Sequence, residues 1–161
     1  MKINLSWAVI INKEDLFMQS IPVLSVDLTS EVTNQKSSII NLMAQTSQPY
    51  LIDVKSFFED VMAHEQEMET DVLPDIALPH AKSTAVNTPF IVVGKYIDGI
   101  VWNNGNKVKL VILIGAPEHA NKEHLSIIAK LASNLANDDF VEDLLKSNIQ
   151  SVANKIRGLY E

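Results

Sequence analysis

The run Val108-Lys109-Leu110-Val111-Ile112-Leu113-Ile114 constrains the fold of this chain more than any other stretch. It is almost continuously apolar and lacks the polar alternation of a strand with one face in water. Such a strand is buried on both faces of its sheet. Both faces then need a covering layer, and the flanking sequence offers helices to make it. Residues 37–44 carry Ile39, Ile40 and Met43 at helical spacing. Residues 53–67 carry Val54, Phe57, Phe58, Val61 and Met62, an amphipathic helix with Asp53 as its cap. After Asn121 the period is helical again, with Leu125, Ile127, Ile128, Leu131 and Leu135 in one stripe. Two more helices are expected over 138–145 and 149–159.

Further strands are predicted over 22–28, 90–96 and 100–102, with turns at Asp98-Gly99 and Asn103-Asn104-Gly105-Asn106. Pro117 closes the central run. The expected architecture is α/β: a three-layer sandwich, a mixed sheet of about five strands with helices on both faces. Residues 1–20 read as an N-terminal extension and a candidate extra strand, since Ile3, Leu5, Trp7, Val9 and Ile11 fall on alternate positions. Residues 21–161 form the main domain, which at this length buries a real core.

The net charge of −7 argues against nucleic acid as a partner. There are no cysteines, which excludes disulfides, thiolate catalysis and cysteine-type zinc sites, and agrees with a cytoplasmic location. The apolar run from Trp7 to Ile11 is too short to span a bilayer, so no membrane insertion is expected.

Four histidines are present: His64, His80, His119 and His124. His80 has the most defined setting, in Ile76-Ala77-Leu78-Pro79-His80-Ala81-Lys82-Ser83. A strand reaches Leu78, and Pro79 stiffens the backbone and withholds an N–H, which should end the ladder there. His80 would then sit where a strand runs into a loop, a common ligand address in α/β sheets. If Asn121 caps the next helix, His124 lies in its first turn, where unpaired N–H groups favour anions. His64 and His119 sit among acidic neighbours, and a surface role accounts for each. His119 and His124 lack helical zinc-ligand spacing, and no serine has the glycines of a nucleophile elbow. What remains is a histidine nucleophile toward a phosphoryl group with a second histidine in support. Neutral imidazole is available for this work at cellular pH.

These segments resemble the IIA component (fructose and mannitol class) of the phosphoenolpyruvate-dependent sugar phosphotransferase system. The similarity runs from about Leu16 to Leu159, through the segment around His80, Asp98-Gly99-Ile100-Val101-Trp102, the 108–114 run, Pro117-Glu118, Ala120-Asn121 and His124-Leu125. The resemblance implies that His80 accepts phosphate from phospho-HPr and passes it to a IIB component for sugar uptake, with His124 as the second active-site histidine. No cofactor and no metal are expected. Where the family usually carries Arg-Glu, a threonine and glycines, this chain has His64-Glu65, Thr70, then Asp71, Pro74 and Asp75. His64 is thus a candidate replacement for a phosphate-holding arginine, without its fixed charge or planar fork. Asp71 and Asp75 would repel a phosphoryl group if they faced it. These departures motivate a second reading, a regulatory binding module that senses phosphorylation state without efficient transfer to a IIB component.

Overall fold

A computed structural model describes residues 21–28, 34–71, 73–119 and 121–161, the side chains of Asn121 and Glu123 excepted. The strand expected within 1–20 lies outside these residues. In chain order the elements are β1 (Val23–Asp27), α1 (Lys36–Thr46), α2 (Val54–Glu67), β2 (Asp75–Ala77), β3 (His80–Ser83), β4 (Phe90–Asn103) and β5 (Asn106–Pro117). Three helices close the chain: α3 (Asn121–Leu135), α4 (Asp138–Lys146) and α5 (Ile149–Gly158).

Among the described residues the strands form one five-stranded mixed sheet in the order β1-β4-β5-β2, with β3 also on β5. The apolar run lies in β5, which is antiparallel to β4 and parallel to β2 and β3. Its side chains alternate between two cores. Val111 and Leu113 face Phe57, Val61, Ile40 and Met43 of α1 and α2. Leu110, Ile112 and Ile114 face Ile127, Leu131, Leu144, Val152 and Ile156 of α3, α4 and α5. A strand buried on both faces needs both layers, which is the three-layer sandwich. Asp53 caps α2 as expected, its Oδ1 accepting from Ser56 N at 3.3 Å.

The ladder differs from expectation around Pro79. β2 and β3 are consecutive parts of one line along β5, with His80 opposite Ile114 and Ala81 opposite Gly115. Pro79 has no N–H to give, but its carbonyl accepts from Ile114 N at 3.0 Å, and pairing resumes at once. His80 therefore opens a strand instead of entering a loop. The segments 90–96 and 100–102 likewise belong to one strand, irregular between Lys95 and Ile100, where Gly99 takes φ +86°. The third helix starts at Asn121 itself, so His124 is its fourth residue. The Asn121 side chain lies outside the described residues.

Candidate functional site

The imidazole of His80 is half-buried, and its Nδ1 lies 2.8 Å from the Leu78 carbonyl oxygen. A carbonyl oxygen only accepts, so this bond requires the proton on Nδ1. The neutral ring then keeps its lone pair on Nε2. Burial is the main influence holding the His80 pKa below the ordinary histidine value. The bond to Leu78 works against it, and His64 adds to the depression. The result is a neutral, oriented imidazole with one nitrogen free for attack.

Two more histidines flank it. His64, in the last turn of α2, has its ring centroid 4.3 Å from that of His80. His124, in the first turn of α3, lies 5.6 Å from His80 on the same measure. Burial pushes the His124 pKa down to about 4, with His80, Lys82 and His64 acting in the same direction. The first-turn position opposes an imidazolium as well. Nδ1 of both His64 and His124 is buried without a hydrogen-bond partner. Unpaired buried nitrogens beside the His80 ring are acceptors, or donors once protonated, left over after folding. Beside His64, Asp60, Glu67, Lys82 and Glu118 line a shallow hollow of about 360 Å³.

Behind the histidines sits a buried carboxylate. Glu65 accepts from Thr70 Oγ1 on one oxygen. Its other oxygen accepts from Trp102 Nε1 at 3.2 Å and Lys36 Nζ at 3.4 Å. The Thr70 carbonyl in turn accepts from Leu78 N at 3.0 Å. Leu78 is the residue that holds His80, so the carboxylate network braces the backbone on which the imidazole is hung. A buried carboxylate is tolerable only when its oxygens are satisfied in this way.

The sequence readings of His64, His80 and His124 thus fall in one cluster. His119 does not join it: it is exposed and lines an adjoining hollow with Ile52, Val86 and Pro117. Among the described residues no group of three or more His, Asp or Glu side chains is placed to hold a metal ion. The concern over acidic substitutions is corrected by the sheet register. Asp75 pairs with Val108 and His80 with Ile114, six residues further along β5, and the five residues of extended chain that separate them span about 16 to 18 Å. Asp71 is at the Asp75 end too, accepting from Asn106 Nδ2 at 2.7 Å. Neither faces His80. Asp75 does keep a glycine-like backbone, with φ +67°.

The sequence reading gave no role to Glu65, Thr70, Trp102 or Lys36. A signal was there for Glu65, since Phe57, Val61 and Glu65 are four apart and form the buried side of α2.

A mixed sheet between two helical layers, with three imidazoles gathered at the β3 end of β5, describes a histidine-centred α/β domain. The family "Phosphoenolpyruvate-dependent sugar phosphotransferase system, EIIA 2" matches residues 20–157, and the chain belongs to it. The fructose-specific EIIABC component of Bacillus subtilis (strain 168) is 31% identical over 99 residues, 60% of this chain and only 16% of that protein. A nitrogen regulatory protein of Pseudomonas aeruginosa is 30% identical over 112 residues, 68% of this chain and 70% of that protein. Enzyme IIA-Mtl of Escherichia coli, solved in complex with phosphorylated enzyme IIB-Mtl, superposes with a TM-score of 0.65 at 18% identity. That superposition covers 84% of this chain and 94% of that one. Among the described residues no helix is long and apolar enough to cross a membrane.

Proposed function

We propose that the chain is a cytoplasmic phosphocarrier of the sugar phosphotransferase system, phosphorylated on His80. The observation that carries this reading is the bond from His80 Nδ1 to the Leu78 carbonyl, made between two flanking imidazoles. In the proposed step the Nε2 lone pair attacks the phosphorus of phospho-HPr. The N–P bond of the donor histidine breaks and its electron pair returns to the donor ring. His80 keeps its Nδ1 proton throughout, so its ring takes on a positive charge as the N–P bond forms, and the Leu78 carbonyl, accepting from Nδ1, steadies that charge. His124 and His64 meet the phosphoryl oxygens from either side. The reverse chemistry hands the group to a IIB component, the kind of partner seen with enzyme IIA-Mtl. Ile52, Met68 and Leu125 are large exposed apolar side chains at or near the residues of this end, and they suit a docking surface.

Incubation with phosphoenolpyruvate, enzyme I and HPr is expected to add one acid-labile phosphoryl group per chain. His124→Ala should slow the transfer by about 10²-fold, the scale of losing one preorganised donor, with the circular-dichroism spectrum unchanged. An unchanged rate would remove His124 from the mechanism. The likeness to a nitrogen regulatory protein favours a second reading, a module whose phosphorylation state is sensed by a non-transport partner. Phosphorylated protein that fails to pass its label to any IIB component, yet binds such a partner differently from His80→Ala, would select it.

A further inference from the structure

We propose that phosphorylation of His80 draws a proton onto His64, making His64 a titratable anchor for the phosphoryl group and favouring the phosphorylated state at lower pH. This rests on reading His80 as the acceptor. The first ground is that no arginine stands at this site. Arg157 is the only arginine in the sequence, and its guanidinium is spent on Val23 O and Asn154 Oδ1, on α5 at another part of the fold. Lys36 is paired with the buried Glu65. Lys82, exposed on β3, lines the same hollow as His64 and its charge acts on His124, but a lysine is a point charge without a planar fork. A phosphoryl group brings about −1.5 to −2 of charge to this place.

The second ground is geometry. His64 is the nearer of the two flanking rings, at 4.3 Å against 5.6 Å, and its buried Nδ1 has no partner. Imidazole is the side chain whose charge changes in the physiological range. The groups facing His64 are Asp60, Glu65 and Glu67 from α2, His80 and Lys82 from β3, His124 from α3, and Glu118 from the end of β5. All of these are present before and after transfer; what changes is His80, where the phosphoryl charge exceeds the positive charge its ring acquires, so the net change beside His64 is negative. The proton comes from solvent: an O–H bond there breaks, an N–H bond forms on the His64 ring, and that N–H donates a hydrogen bond to a phosphoryl oxygen.

The native chain, His64→Arg and His64→Gln are each brought to equilibrium with phospho-HPr across pH ~6 to ~8. Protonation of HPr and of the phosphoryl group itself is shared by all three and cancels in the comparison. Relative to His64→Arg, the native ratio of phosphorylated to free protein should fall as pH rises, approaching about tenfold per pH unit for one full proton. His64→Gln should accept less phosphate than the native chain at low pH and converge with it at high pH. Nuclear magnetic resonance of the native His64 ring supplies a readout that needs no variant: its titration midpoint should rise on phosphorylation. Label on His80 with parallel pH profiles, or an unmoved His64 midpoint, overturns the proton coupling alone. Absence of label on His80 at every pH overturns the carrier reading beneath it.

Discussion

Replacing His80 with glutamine is expected to abolish phosphoryl acceptance and leave the fold standing. Glutamine offers an amide in place of the imidazole, and an amide nitrogen has no free lone pair with which to attack phosphorus. The side chain is half-buried and its one hydrogen bond goes to Leu78 within the same strand segment. Loss of such a bond costs about 1 kcal/mol, a small fraction of the stability of a domain of this size. Label transferred from phospho-HPr, followed by intact-protein mass, is the measurement. Native-like label in His80→Gln would mean that His64 or His124 is the acceptor and that the tautomer argument has picked the wrong ring.

Gly115→Val is expected to destabilise the protein by about 3 kcal/mol, the upper part of the range for overfilling a packed core. A Cβ at this position would come within 2.5 Å of Cε1 and Cζ of Phe90 and 3.1 Å of Cε1 of Phe57. Those rings meet edge to face at 5.4 Å between the sheet and α2, and both are fully buried, so neither can move aside without opening the core. Gly115 also pairs with Ala81, the residue after His80, so the same substitution disturbs the seat of the imidazole. A fall of roughly 10 °C in Tm, with an unchanged urea m-value, is the expected readout. A shift within about 1 °C would show that the ring cluster is far looser than its packing implies.

The layers were legible because the apolar run of β5 has no polar face and the helices on each side repeat at helical spacing. His80 stood out because the proline before it fixes its own φ and holds Leu78 extended. What could not be read was anything set by register. Whether Asp71 and Asp75 face His80 depends on how β2 and β3 share β5, and sequence spacing does not carry that. Pro79 was read through its missing N–H alone, while its carbonyl, free to accept, let the ladder continue into β3. Glu65 was matched to the family's Arg-Glu pair without a role, although it falls four residues after Val61 on the covered side of α2. The partners that make its burial tolerable come from α1, β4 and the Thr70 segment, and only the packed fold brings them together.

The central claim is that His80 attacks through Nε2 because Leu78 holds the proton on Nδ1. Nitrogen-labelled protein, phosphorylated through enzyme I and HPr and observed for phosphorus–nitrogen coupling, tests it directly. The expected spectrum has a single phosphoryl group coupled to Nε2 of His80, with Nδ1 still carrying its proton. Coupling to Nδ1, coupling to another histidine, or no phosphoryl group while a known IIA protein is labelled in parallel would contradict it.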